Sequence, residues 1–129
     1  MAKVRQALAP PKKILVIDDD PGLLVLVATV LEAEGYSVQT ARTSKTALQR
    51  ARACEFDLVL LDLMLPDADG VILHGKLKKL SPGIESRTIF MTGFTSQGPV
   101  IAYLESLGAG FLHKPFLPAD LVKAVGKLT

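Results

Sequence analysis

The chain has a single cysteine, Cys54, in 129 residues. No disulfide can form within it, which fits a reducing compartment, and a lone thiol with no partner reads as a small core-facing hydrophobe rather than a nucleophile. Charge of one sign is also scarce. Fifteen Lys and Arg against thirteen Asp and Glu leave a net charge of +2, too mild for the electrostatic footprint of a nucleic-acid binder. Long apolar runs are missing: the longest nearly uncharged stretch, Pro21 to Leu31, falls well short of the roughly 20 residues that span a bilayer. Met1 to Pro11 carries Lys3 and Arg5 but no apolar segment of signal-peptide length. There is no internal repeat and no low-complexity tract. With 49% hydrophobic and 22% charged residues, the composition is that of a globular protein able to bury a core. The expectation is a cytoplasmic protein with a flexible lead-in over residues 1–11 and one domain over 12–129, with no membrane and no nucleic acid among its partners.

What is present centres on Phe56-Asp57-Leu58-Val59-Leu60-Leu61-Asp62. A short apolar run that stops at a carboxylate predicts a buried parallel strand delivering one acid to its C-terminal end, where open α/β sheets place their ligand sites. Leu63 to Gly70 follows as a loop, with Pro66 fixing φ and Asp69-Gly70 favouring a turn. Before it, Lys13 to Ile17 reads as a strand closed by Asp18-Asp19-Asp20. Asp20 is a plausible N-cap and Pro21 suits a first helical turn; that helix runs to about Glu34, with Gly35 as its cap. Tyr36–Thr40 reads as a strand, and Ser44 as the cap of a helix to about Ala53. After the Asp62 loop come a helix over about Gly70–Leu80, a strand Thr88–Met91 ending at Thr92-Gly93, and a helix opened by Gly98-Pro99. A short strand Ala109–Leu112, then Lys114-Pro115-Phe116, and a helix from about Pro118 complete the chain. Five strands alternating with five helices predict an α/β fold, a parallel sheet covered on both faces.

In a parallel sheet the strand ends share one edge, so Asp18, Asp19, Asp62, Thr92 and Lys114 gather there. Clustered carboxylates repel: two unit charges about 4 Å apart at an effective dielectric of about 20 cost about 4 kcal/mol. Uptake of a proton by one acid, or a hard divalent cation such as Mg²⁺ among them, relieves this. A lysine and a threonine hydroxyl nearby complement phosphoryl oxygens, and an aspartate can itself be the nucleophile, forming an acyl phosphate.

Taken together, Asp18-Asp19 after the first strand, Asp62 with Met64, Pro66 and Gly70 in its loop, Thr92-Gly93 and Lys114-Pro115-Phe116 resemble the receiver domain of two-component response regulators, from about Lys13 to the C-terminus. The resemblance implies a flavodoxin-like, doubly wound sheet of order 2-1-3-4-5. It implies that Asp62 accepts a phosphoryl group from a sensor histidine kinase or phosphotransfer protein. Asp19 and Asp62 would bind Mg²⁺ directly, with the Met64 carbonyl as a further ligand and Asp18 mostly through water. Lys114 would reach the phosphoryl oxygens across a cis Lys114-Pro115 bond. Thr92 and Phe111 would be the switch pair, altering the surface around the fourth and fifth strands and fourth helix. Such a protein is a signalling phosphoacceptor rather than an enzyme, limited to self-phosphotransfer and slow autodephosphorylation.

Departures from the family pattern carry their own expectations. Phe111 lacks a tyrosine hydroxyl, so its inward state gains packing but no hydrogen bond. Met64 and Phe94, two residues beyond Asp62 and Thr92, are apolar, which predicts slow hydrolysis of a phosphoaspartate. Leu23 to Leu31 holds more apolar residues than one buried stripe needs, marking the first helix as a docking face for the phosphoryl donor. Gly98 to Ser106 has Glu105 as its single charge, a poor match to receivers that dimerise through a charged face there. Asp57 reads as a solvated strand-end acid, Asp67 and Asp69 as turn residues, and His74 and His113 as structural. Nothing after about Leu128 remains for an output domain, so the sequence reads as a stand-alone receiver or a piece of a longer chain. Two other classes stay open: a Mg²⁺-dependent phosphohydrolase with an aspartyl nucleophile, for which Asp18 and Asp20 have the spacing, and a receiver-like interaction module that is never phosphorylated.

Overall fold

The computed structural model describes residues 10–93 and 98–129. The lead-in read over residues 1–11 and the side chain of Phe94 therefore lie largely or wholly outside the described residues. Five strands, β1 (Lys13–Ile17), β2 (Ser37–Ala41), β3 (Leu58–Asp62), β4 (Thr88–Thr92) and β5 (Gly110–His113), form one parallel sheet in the order β2-β1-β3-β4-β5. Five helices connect them: α1 (Pro21–Ala33), α2 (Ser44–Ala53), α3 (Gly70–Leu80), α4 (Pro99–Ser106) and α5 (Pro118–Leu128), with a 3-10 turn at Ile84–Arg87. The doubly wound α/β architecture expected from the sequence is the one observed.

Strand alternation divides the core in two. Ile14, Val16, Leu58, Leu60, Ile89 and Met91 face one side, against Leu24, Val27 and Leu31 of α1 and Leu121 and Val125 of α5. Leu15, Ile17, Val59, Leu61 and Phe90 face the other, against Ala47 of α2, Leu73 and Leu77 of α3 and Leu104 of α4. β3 and β4, fully buried along their lengths, are continuous apolar runs because both of their faces are covered.

Local chemistry sets the boundaries. Asp20 caps α1, its Oδ1 accepting the Gly22 and Leu23 N–H groups, and Gly35 beyond the other end takes φ +95°, which a side chain would resist. The expected cap of α2 was Ser44; the cap is Thr43, whose hydroxyl accepts the Thr46 N–H at 3.2 Å, because the Ser44 hydroxyl is engaged elsewhere, donating to Asp67 at 2.7 Å. β3 starts at Leu58 rather than Phe56. Asp57 is not a solvated acid: it is half-buried, its carboxylate accepts the Lys13 N–H at 2.8 Å, and its carbonyl accepts Arg87 Nε at 3.1 Å.

Candidate functional site

The register of the sheet assembles the site. Ile17 pairs with Leu61, so Asp18, just past the end of β1, and Asp62, the last residue of β3, sit level at the sheet edge. Thr92 pairs with His113 across β4 and β5, which brings Lys114 to the same edge, its N–H donating to the Thr92 carbonyl at 2.7 Å. One carboxylate oxygen each from Asp18, Asp19 and Asp62 lie within 4.8 Å of one another. Asp18 is 0% exposed and Asp62 8%, while Asp19 is open to solvent. The Lys114 ammonium bridges two of them, donating to Asp18 Oδ2 at 2.5 Å and to Asp62 Oδ2 at 3.3 Å. The Lys114-Pro115 bond is cis, as the resemblance implied.

Burial dominates the electrostatics of Asp18 and raises its pKa; the Lys114 hydrogen bond, the Asp20 N–H and the lysine charge pull it down without overcoming the loss of water, and the Asp62 charge adds to the rise. For Lys114, burial disfavours the ammonium. The hydrogen bond and charge of Asp18, then those of Asp62, outweigh it, so the lysine pKa rises and the cation is secure.

The residues fit a hard divalent cation. Three converging carboxylates, one of them solvent-facing, are the oxygen donors that Mg²⁺ accepts while keeping waters of its own. Three carboxylates against one ammonium also leave two negative charges, which one such ion balances.

Backbone packing explains the loop that carries Asp62. The Met64 N–H donates to Asp62 Oδ1 at 3.0 Å, and the Gly70 N–H to the Leu63 carbonyl at 2.9 Å. A Cβ on Gly70 would lie 2.7 Å from Leu63 Cα and 2.8 Å from the Asp62 carbonyl oxygen, so only glycine lets α3 start this close to the acid. Asp69 caps α3 through the Val71 N–H at 2.7 Å. Pro66 is an exposed loop residue, and Met64 stands 63% exposed. Phe111 is half-buried and stacks on Phe90, ring centroids 5.7 Å apart.

Sequence reasoning missed Asp67. Its carboxylate accepts the Ser44 N–H at 3.0 Å, the Ser44 hydroxyl and the Lys45 N–H, tying the Asp62 loop to the N-terminus of α2. Those backbone and hydroxyl donors hold its carboxyl below the ordinary range. The contact spans more than twenty positions, and a turn-forming Asp carries no local sign of it. His74 was read as structural, and it is 2% exposed. On α1, Val25 is 67% and Leu26 45% exposed, so part of the apolar surplus does stand in solvent.

Known proteins of the same shape and sequence complete the identification. The family model for the response regulator receiver domain matches residues 14–126. The probable transcriptional regulatory protein TcrX of Mycobacterium tuberculosis is 34% identical over 119 residues, 92% of this chain and 50% of that one. A CheY-like receiver domain protein from Methanospirillum hungatei superposes with a TM-score of 0.81 at 35% identity, covering 92% of this chain and 94% of the other. A response regulator from Burkholderia pseudomallei, solved with a phosphorylated aspartic acid, a calcium ion and citrate, gives 0.76 at 32% identity over 88% of this chain and 66% of that one. The chain thus spans half or less of the length of the curated regulators it matches. It belongs to the response regulator receiver domain family.

Proposed function

We propose that Asp62 is the phosphoacceptor of this receiver domain. The observation that carries this is the placing of Asp62 at the C-terminal end of β3, with the Lys114 ammonium 3.3 Å from its Oδ2 and two further carboxylates beside it. A carboxylate oxygen of Asp62 attacks the phosphorus of a donor phosphohistidine. The P–N bond breaks, the electron pair stays on the imidazole, which takes up a proton, and an acyl phosphate forms. Lys114, held at the site by Asp18, donates to a phosphoryl oxygen. A bound Mg²⁺, which Asp19, Asp62 and the Met64 carbonyl would hold directly and Asp18 mostly through water, would neutralise charge on the phosphoryl oxygens. The phosphorylated aspartic acid and divalent ion in the Burkholderia relative support this assignment.

The new dianion biases a two-state element. Thr92, at the end of β4, turns toward the phosphoryl group, and Phe111 follows inward, altering the surface of α4, β4 and β5. Phosphoryl transfer is stoichiometric, so the protein is a signalling phosphoacceptor and not a phosphohydrolase. The donor is a histidine kinase or a phosphotransfer protein that docks on Val25 and Leu26 of α1. Kinases work where ATP is, which makes the cytoplasm the proposed location. Transcriptional control, which the Mycobacterium relative is named for, is the class of output proposed for a protein that contains this domain.

Intact mass after incubation with Mg²⁺ and a small acyl-phosphate donor tests the assignment. Wild type gains one phosphoryl group and Asp62→Asn none; an equal gain in both, or steady release of inorganic phosphate from small phosphate esters, overturns it.

A further inference from the structure

A buried imidazole stands behind the switch aromatic. His74 lies on the inner face of α3, between the core residues Leu73 and Leu77, and is 2% exposed. Its Nε2 is fully buried with no hydrogen-bond partner among the described residues. The ring meets Phe90 edge-on, centroids 5.1 Å apart and planes at 63°, and Phe90 in turn stacks on Phe111 at 5.7 Å. Three rings thus run in contact from α3 through β4 to β5. Leucine at position 74 would fill such a site with no orphaned nitrogen.

We propose that His74 is a pH-sensitive positioning residue for Phe111: neutral, it braces the Phe90–Phe111 stack, and on protonation it releases Phe111 from that stack. This rests on the reading of Phe111 as the switch aromatic. An imidazolium needs water or an acceptor at both nitrogens, and Nε2 is closed off from solvent and faces no acceptor among the described residues. Of the three rings, Phe111 alone is only half-buried, so it is the one with room to leave and let water reach the nitrogen. The surroundings agree: burial pushes the His74 pKa down, the Glu85 backbone and carboxylate on the 3-10 turn oppose that push, and Lys78 on α3 reinforces it. Packed at the site from β4 and β5 are the uncharged rings of Phe90 and Phe111. His113, exposed two residues beyond Phe111 on β5, is the other histidine of the chain and needs a control.

The test is an NMR titration of selectively labelled histidine and phenylalanine in the unphosphorylated protein, from about pH 8 down to about pH 5. The Phe111 ring signals shift in one step that shares its midpoint with His74 Cε1. Glu85→Gln moves both midpoints to lower pH, His113→Asn leaves the step in place, and His74→Leu abolishes it. A Phe111 signal that stays flat while His74 titrates, a His74 that remains neutral until the chain unfolds, or a step that persists in His74→Leu overturns the proposal. Each variant is also tested for phosphoryl gain by mass near neutral pH. Loss of that gain in the wild type strikes the Asp62 assignment, whereas the ring titration needs no phosphoryl group and strikes the brace alone.

Discussion

Replacing Lys114 by methionine removes one ammonium from between two carboxylates and keeps the side-chain length. At an effective dielectric of about 20, the attraction to Asp18 at 2.5 Å is about 7 kcal/mol and to Asp62 at 3.3 Å about 5 kcal/mol, most of it offset by desolvation. What is lost is closer to the measured cost of breaking a buried pair, about 3–5 kcal/mol. Because the lysine side chain is 28% exposed, the expected loss is about 3 kcal/mol near pH 8, read as a fall in the urea midpoint at unchanged slope. The pH dependence separates this from simple loss of packing. The Asp18 pKa is already raised, and methionine removes the hydrogen bond and charge that hold it down, so it climbs further. A carboxyl whose folded pKa exceeds its unfolded one stabilises the fold at low pH and loses that contribution as pH rises through the folded value. The deficit of Lys114→Met is therefore smaller near about pH 5 than near about pH 8, since the raised Asp18 carboxyl takes up a proton more readily as pH falls. Millimolar Mg²⁺ narrows it, since a dication bound between the acids replaces the missing charge. An equal deficit at both pH values, with no recovery on adding Mg²⁺, would refute the electrostatic account.

Other outcomes follow from single contacts. Gly70→Ala drives a Cβ into the backbone of Leu63 and Asp62; it lowers stability by about 1–3 kcal/mol and slows phosphorylation, measurable by urea melts and intact mass, and a wild-type melting curve would contradict the contact. Leu26→Glu, on the exposed side of α1, leaves the urea midpoint in place and cuts phosphotransfer from the cognate donor; unchanged transfer removes α1 as the docking face. Met64, exposed beside Asp62, offers no hydrogen bond to an attacking water. Met64→Asn therefore shortens the phosphoaspartate half-life, followed by the decay of the phosphorylated mass, and a wild-type half-life rules this out.

The strand ends were legible because a parallel sheet turns sequence order into spatial coincidence. Once each apolar run was seen to stop at Asp18, Asp62, Thr92 or Lys114, topology did the rest, and the observed register puts Asp18 level with Asp62. Caps were readable where the capping side chain had no competitor, as at Asp20. They failed at Ser44, whose hydroxyl is taken by Asp67 from another part of the chain. Asp57 was misread for a related reason: its partners, the Lys13 N–H and Arg87 Nε, come from 44 and 30 positions away. His74 looks unremarkable in the sequence because its significance lies in a contact with Phe90 on β4, and through it with Phe111 on β5, that helical periodicity does not encode.

The tie between Asp67 and α2 leaves the two flanks of the site unequally fastened. The Asp62 loop is clamped by Asp67 to the start of α2, by Asp69 to the start of α3 and by a Met64–Asp69 bridge across its own base. On the other flank, α4 is a helix of eight residues whose N-cap, Gly98, supplies no side-chain hydrogen bond. A phosphoryl group at Asp62, as proposed, would press against the side-chain ties of the α2–α3 side and meet fewer at the start of α4. The proposed phosphorylation of Asp62 would then act against unequal flanks, and the less tied one, at α4, is where the proposed surface change would be largest.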